Sequence, residues 1–218
     1  GNQVIALGER DCTLQRRFQK LIEIAPSPVL TAALRKQVTD AALKMASHVG
    51  YCSLGTFEFL IEEDDSGKQL SAVFIEANPR LQVEHTVTEQ VTGVDLVATQ
   101  LAIAQGKSLK QIGLDPADPP AVRGFAIQVR INSERTDDKG MTHPVHGCLT
   151  YFEPPSGLGV RVDTHGYSGY TPSPSYDTLL AKLIVTSVSS DFTDVVRRLG
   201  RAMTEFHIHG LQTNLPLL

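Results

Sequence analysis

The feature that most constrains this chain is a pair of alternating segments on either side of a short polar turn. Residues 55–62 alternate strictly between two faces, and residues 70–76 form a second apolar segment after the turn EDDSGK. This alternation predicts two strands of an antiparallel hairpin. Glu58 and Glu76 are equally distant in sequence from Gly67, which lies in the turn. A symmetric hairpin therefore places these two carboxylates opposite each other across the ladder.

Two facing carboxylates repel each other unless a positive group lies between them. Asn78 follows Glu76 by two residues, so an extended backbone directs both side chains to the same face. Such an oxygen-rich set suits Mg²⁺, which takes a few protein oxygens and completes its shell with water and phosphate. Glu58, Glu76 and Asn78 therefore predict a magnesium site. A pair of carboxyl groups with raised pKa and an ordinary solvated strand face are the alternatives.

The segment after Pro79 repeats the same two-residue spacing with different chemistry. Arg80, Gln82 and Glu84 supply a guanidinium, an amide and a carboxylate. If the segment stays extended, the three side chains line one wall, which can hold a small oxyanion beside a base.

Composition excludes several classes of protein. The 218 residues are 41% hydrophobic and 20% charged, with a formal net charge of −4 and a pI near 6.0, as in a globular protein without a bias towards nucleic acid or membranes. No apolar run approaches the ~18 residues of a membrane helix. Cys12, Cys52 and Cys148 are widely spaced, which favours reduced thiols in a cytoplasmic compartment.

The rest of the pattern predicts a mixed chain with a break in its middle. A basic segment at residues 8–20 can bind phosphate or bicarbonate, or be a solvated loop. The proline-rich residues 111–121 predict a seam between two domains, at residues 1–110 and 122–218. Periodicity predicts strands at 4–7, 125–131, 159–162 and 178–186, and helices at 31–49, at 94–105 and after the cap Asp191.

Six motifs, in this order, resemble biotin carboxylase, a family of ATP-grasp ligases. They are ERDCTLQRRFQK (9–20), GTFEFL (55–60), FIEANPRLQVEHTVTE (74–89), RINSE (130–134), GLGVRVD (157–163) and SYDTLLAKLI (175–184). EHTVTE and the FHIHGLQTN tail are most similar to the pyruvate and acyl-CoA carboxylase branch. The resemblance implies an α+β fold: the C-terminal part of an ATP-grasp fold, with antiparallel sheet and helices, followed by the biotin carboxylase C-terminal domain.

The resemblance also implies roles for individual residues. Glu58, Glu76 and Asn78 match magnesium ligands, and the first two also lie at the nucleotide. Gln15, Lys20 and Leu60 match ATP-binding positions, with Lys20 also near the phosphate or bicarbonate. Arg80, Gln82, Val83 and Glu84 match the bicarbonate site, in which Glu84 is the base. Arg161 matches the arginine that stabilises the biotin enolate.

The implied activity is the carboxylation of biotin, which is attached to a partner domain. The reaction uses bicarbonate and MgATP (or MnATP), and carboxyphosphate is its intermediate. The implied partners are a biotin carboxyl carrier domain, a carboxyltransferase and the family's N-terminal half, in a homo-oligomer in the cytoplasm or mitochondrial matrix. The chain begins at the family's second half, without the Gly-rich lid, so we expect residues 1–218 alone to be inactive. Phe18 replaces the family's usual His. A non-catalytic assembly module and another ATP-grasp ligase, such as a carbamoyl-phosphate synthetase, are the alternatives.

Overall fold

The computed structural model describes residues 3–173 and 175–218, in which helices and strands are mixed. The helices are α1 (Ala32–His48), α2 (His85–Thr92), α3 (Leu96–Ala104) and α4 (Phe192–Thr204), with 3₁₀ turns at Lys110–Ile112 and Leu215–Leu217. The strands are β1 (Gln15–Arg16), β2 (Gln19–Lys20), β3 (Ile22–Ala25), β4 (Thr56–Glu63), β5 (Gln69–Asn78), β6 (Phe125–Asn132), β7 (Glu134–Thr136), β8 (Thr142–Pro144), β9 (Tyr151–Glu153), β10 (Val160–Thr164), β11 (Leu179–Ser187) and β12 (His207–His209).

The chain folds into two compact units, each made of two separate stretches of sequence. The first contains the chain as far as Asp11 together with Ala25–Arg123, and the second contains Cys12–Ile24 together with Gly124–Leu218. The domain bounds at residues 110 and 122 remain a prediction. Among the described residues, no helix combines the length and the apolar content needed to cross a bilayer.

The first unit is built on the β4–β5 hairpin, with α1 packed against β5. Helix α1 begins where the Thr31 hydroxyl accepts a hydrogen bond from the Leu34 N–H, and it ends at His48, with Val49 as its C-cap before Gly50. This agrees with the helix predicted over residues 31–49. Residues 4–7, in contrast, are not a strand, which corrects that prediction: within residues 3–173 and 175–218, no strand pairs with them.

The second unit is a four-stranded sheet, in the order β10–β11–β6–β3, covered by α4. Its core is made of side chains that β6 and β11 direct to one face, where they meet the apolar face of α4: Ile127, Val129, Ile131, Ala181, Leu183, Val185, Val195, Ala202 and Phe206. Asp191 caps α4, as predicted, by accepting a hydrogen bond from the Thr193 N–H. The sheet gives β10 a rigid position, and β10 carries Arg161.

Candidate functional site

The β4–β5 hairpin places Glu58 directly opposite Glu76, which confirms the predicted register. The pairs from Thr56–Asn78 to Glu58–Glu76 are symmetric about Gly67. Between this pair and the turn, however, the register shifts by one residue twice, once between Glu58 and Phe59 and once between Glu62 and Glu63. Such an irregularity twists a strand locally and re-aims its side chains. The two acids therefore project from neighbouring strands at the end of the hairpin that is farther from the turn.

Asn78 shows that these two carboxylates converge. Its Nδ2 donates to Glu76 Oε1 at 2.8 Å and to Glu58 Oε1 at 3.2 Å. Among the described residues, no group of three or more His, Cys, Asp or Glu gathers as a metal site, so the candidate set consists of two acids and one amide. An amide turned by 180° offers its oxygen at the same place. The donor set then fits a hard cation that keeps part of its shell for water and phosphate.

The segment 79–84 does not form the extended wall that the spacing predicted. Pro79 ends the ladder, and the chain then turns into α2, whose N-cap is Glu84. Arg80 is exposed, and its Nη1 donates to the Leu81 carbonyl at 3.3 Å, whereas Gln82 and Glu84 are 7% and 2% exposed. The three side chains therefore leave the backbone in different environments, because a helix start breaks the two-residue alternation.

Gln82 connects this segment to the acidic pair, Glu58 and Glu76. Its Nε2 donates to Glu58 Oε1 at 3.0 Å, and its Oε1 accepts from Arg10 at 3.0 Å. Val83, the next residue, is half-buried. Sequence reasoning placed Arg10 only within a general basic segment. The contact partners lie far along the chain, so no local pattern indicates them.

In the second unit, Arg161 forms a two-point ion pair with Asp163, which Lys182 also binds. Its Nε lies 2.7 Å from Asp163 Oδ1 and its Nη2 lies 2.9 Å from Asp163 Oδ2, while Lys182 Nζ lies 3.1 Å from the same Oδ2. Burial disfavours the charged form of Asp163, but hydrogen bonds from Arg161 and Lys182 outweigh it and lower the pKa of that carboxyl. Sequence reasoning missed Asp163, although its two-residue spacing from Arg161 on a strand was the available signal.

The part of the basic segment that follows Asp11 belongs to the second unit, where it forms a tight hairpin. Gln15 on β1 pairs with Lys20 on β2, and Gln15 Nε2 donates to the Cys12 carbonyl at 2.8 Å. Arg17 and Phe18 form its tip with φ of 51° and 65°, and Phe18 is 98% exposed. Positive φ at both loop residues is what a two-residue hairpin turn of type I′ requires, although glycine and asparagine are the usual residues there.

Leu60, the remaining predicted nucleotide contact, lies on β4 in the first unit. It is 59% exposed. An exposed apolar side chain on a strand is compatible with contact to a flat ligand, and that role remains a prediction.

Comparison with known proteins gives the family. The family model for the carbamoyl-phosphate synthase L chain ATP binding domain matches residues 1–112, and that for the biotin carboxylase C-terminal domain matches residues 128–218. Biotin carboxylase 1 of Bacillus subtilis (strain 168) is 44% identical over 214 residues, which cover 97% of this chain and 44% of that protein. The chain belongs to the biotin carboxylase family.

Other members of the biotin carboxylase family agree with this assignment. Pyruvate carboxylase of Schizosaccharomyces pombe is 42% identical over 216 residues, which cover 99% of this chain and 17% of that protein. The biotin carboxylase domain dimer of the Hydrogenobacter thermophilus 2-oxoglutarate carboxylase, in complex with MgADP, ADP and bicarbonate, matches with a TM-score of 0.88 and 41% identity. That match covers 99% of this chain and 45% of that one. The predicted α+β fold is confirmed, and the chain spans less than half the length of these relatives.

Proposed function

We propose that this chain is part of a biotin carboxylase, an ATP-dependent ligase that uses bicarbonate to carboxylate biotin on a carrier domain. The observation that carries the proposal is the convergence of Glu58, Glu76 and Asn78 directly before segment 79–84, in a chain of this family. Two opposed carboxylates destabilise an ordinary hairpin, and a bound cation removes their repulsion.

Glu58, Glu76 and Asn78 would hold Mg²⁺ or Mn²⁺ through oxygen. When bound, such an ion neutralises charge on the phosphate oxygens of ATP. The chain's own part is to keep the two carboxylates opposed and, with the Asn78 amide turned by 180°, to supply its oxygen as a neutral ligand of the ion. Gln15, Lys20 and Leu60 are proposed to contact the nucleotide, and Lys20 adds positive charge near its phosphates.

Arg80, Gln82, Val83 and Glu84 are proposed to bind bicarbonate, with Arg80 as the cationic partner of this anion. Glu84 takes the bicarbonate proton, and the oxygen so freed attacks the γ-phosphorus while ADP leaves, giving carboxyphosphate. Carboxyphosphate breaks into CO₂ and phosphate, and phosphate accepts the proton that biotin N1′ loses as it attacks CO₂. Arg161, held by Asp163, supplies fixed positive charge where negative charge grows on biotin.

The test is Glu84→Gln in the native protein with its flanking sequence. We expect loss of bicarbonate-dependent ATP hydrolysis and of biotin carboxylation, by at least roughly 100-fold if the base contributes the usual factor. Affinity for MgATP should be nearly unchanged, because Glu84 acts on the second substrate. Glu63→Gln, an exposed acid at the end of β4, is the control and should behave like the wild type. Normal carboxylation by Glu84→Gln would reject the proposal.

The proposed partners are a biotin carboxyl carrier domain, a carboxyltransferase and the N-terminal half of a biotin carboxylase module, in a homo-oligomer. Two findings support this proposal: the relatives are more than twice as long as the chain, and the matching Hydrogenobacter thermophilus domain is described as a dimer. Residues 1–218 on their own should bind MgATP weakly, because water exclusion and part of the phosphate cradle would come from that other half. Calorimetry with MgATP tests this, and tight binding would contradict it.

A further inference from the structure

Arg10 joins three separate parts of the first unit. Its Nη2 donates to the Thr56 hydroxyl of β4 at 2.9 Å and to Gln82 Oε1 at 3.0 Å. Its Nη1 donates to the Thr88 hydroxyl of α2 at 3.1 Å. The guanidinium therefore lies between the strand that carries Glu58 and the helix that Glu84 begins.

Gln82 passes this constraint on to the acidic pair. A guanidinium has only donors, so the end of the Gln82 amide that faces Arg10 has to be the oxygen. The other end, Nε2, then faces Glu58 Oε1 at 3.0 Å. Because Gln82 is 7% exposed, water cannot easily replace either contact.

The orientation of this amide has a direct effect on Glu58. With Arg10 present, Gln82 offers an N–H to the Glu58 carboxylate, which also accepts from Asn78 at 3.2 Å. Without Arg10 the Gln82 oxygen loses this donor, and the contact with Glu58 holds the buried amide at its other end. A buried amide oxygen that has lost a donor favours side-chain rotations that bring it a new one, and such a rotation withdraws the N–H from Glu58, so the carboxylate loses its fixed position.

We propose that Arg10 is a positioning residue for the cation site: it sets the orientation of the Gln82 amide and, through that amide, the position of the Glu58 carboxylate. The inference rests on the proposed function, because it takes Glu58 and Glu76 as ligands of a divalent cation. It adds a residue that touches neither the ion nor the substrates.

The experiment measures Mn²⁺ binding by electron paramagnetic resonance, with ADP present, in the native protein with its flanking sequence. Arg10→Met should weaken Mn²⁺ binding about tenfold, within the roughly 10–100-fold that loss of an outer-shell partner costs a metal site. Arg35→Met is the matched control. Arg35 Nε lies 2.8 Å from Oε1 of Glu9, the residue directly before Arg10, and Arg35 forms no hydrogen bond with Gln82 among the described contacts. That variant should lower the melting temperature similarly and leave Mn²⁺ affinity unchanged.

A double-mutant cycle separates positioning from a general structural role. If Arg10 acts through Gln82, the variant Arg10→Met/Gln82→Met should bind Mn²⁺ as Gln82→Met does alone. Arg10→Lys retains a donor for Gln82 Oε1 and should restore most of the affinity, and it serves as the test if Arg10→Met fails to fold. Additive losses in the cycle, or equal losses in Arg10→Met and Arg35→Met, would overturn the positioning role.

Glu76→Ala shows which hypothesis has failed. If Glu76→Ala weakens Mn²⁺ binding while Arg10→Met does not, the cation site stands and the role of Arg10 is rejected. If Mn²⁺ binds equally well to Glu76→Ala and the wild type, the cation site itself is rejected, and the inference about Arg10 with it.

Discussion

Arg161 and Asp163 lie two residues apart on β10 and form a two-point ion pair, with nitrogen–oxygen distances of 2.7 and 2.9 Å. Lys182 lies opposite Asp163 on β11 and binds the same carboxylate. The guanidinium plane of Arg161 is therefore fixed by the sheet before any substrate arrives. Fixed charge stabilises a developing negative charge better than a mobile side chain does.

The first prediction is that Asp163→Asn impairs the step in which Arg161 acts. An asparagine cannot accept the two-point pair with full charge, so Arg161 should lose its fixed orientation. The rate of biotin carboxylation should fall by up to about 100-fold, which is the loss expected when a reacting or stabilising group is displaced by about 1 Å. The rate of bicarbonate-dependent ATP hydrolysis should change little. Asp137→Asn, whose carboxylate pairs with His143 at 2.8 Å elsewhere in the second unit, is the control. Equal loss of both activities would contradict the assignment.

The second prediction concerns acid stability. The pKa of Asp163 is below its usual 3.8 in the folded protein, because the two cations outweigh burial. A carboxyl with a lowered folded pKa stabilises the protein above its unfolded pKa, and this stability is lost as pH falls through the folded value. The free energy of unfolding should therefore fall more steeply below about pH 4 in the wild type than in Asp163→Asn. Urea denaturation between roughly pH 5 and pH 2 measures this, and parallel curves would show that the pair has no such role.

The third prediction uses the repulsion between Glu58 and Glu76. Without a cation, Glu76→Gln should stabilise the protein by about 0.2–1 kcal/mol, because one of two facing charges is removed. With Mg²⁺ and nucleotide present, the wild type should gain stability and the variant should gain less. Thermal unfolding without Mg²⁺ tests whether Glu76→Gln is the more stable protein, and thermal unfolding with Mg²⁺ and nucleotide tests whether the wild type gains more stability. Glu63→Gln, on the same hairpin, should show neither change.

The fourth prediction concerns a buried carboxylate in the second unit. Glu23 is fully buried, and it is bound by Arg130 at 2.5 Å and by Gln128 at 2.9 Å. Arg130→Met should lower the free energy of unfolding by about 3–5 kcal/mol, because it leaves a buried charge without its cation. The double variant Glu23→Gln/Arg130→Met should recover part of that loss. If the double variant is less stable than Arg130→Met, the unpaired charge of Glu23 is not the cause of the stability lost in Arg130→Met.

Sequence reasoning worked where the determinants are local. The start of α1 and the start of α4 each follow from one capping side chain, Thr31 or Asp191. The pairing of Glu58 with Glu76 was also predicted correctly, but it results from two register shifts nearer the turn, which the assumed symmetry about Gly67 does not contain. Alternation and capping chemistry need only residues close together in the chain, so they predicted these elements but not the bulges.

Sequence reasoning failed where distant residues decide the conformation. The hairpin tip at Arg17 and Phe18 has positive φ without glycine or asparagine, so its residues give no turn signal. Glu23 meets Arg130, which lies 107 positions later, and Arg10 meets Gln82 at a separation of 72. Such contacts depend on the assembled fold, and no local pattern encodes them.

Strand β3 is an edge of the sheet in the second unit, although residues 26–123, which follow it in the sequence, belong to the first unit. A gene segment starting at Gly124 would encode this sheet without its edge strand and without the carboxylate shared by Gln128 and Arg130. Exchange of the unit between related genes therefore needs at least three crossovers: before residue 12, after residue 24 and before residue 124. We expect both units to share a single line of descent across the family rather than to recombine as separate modules.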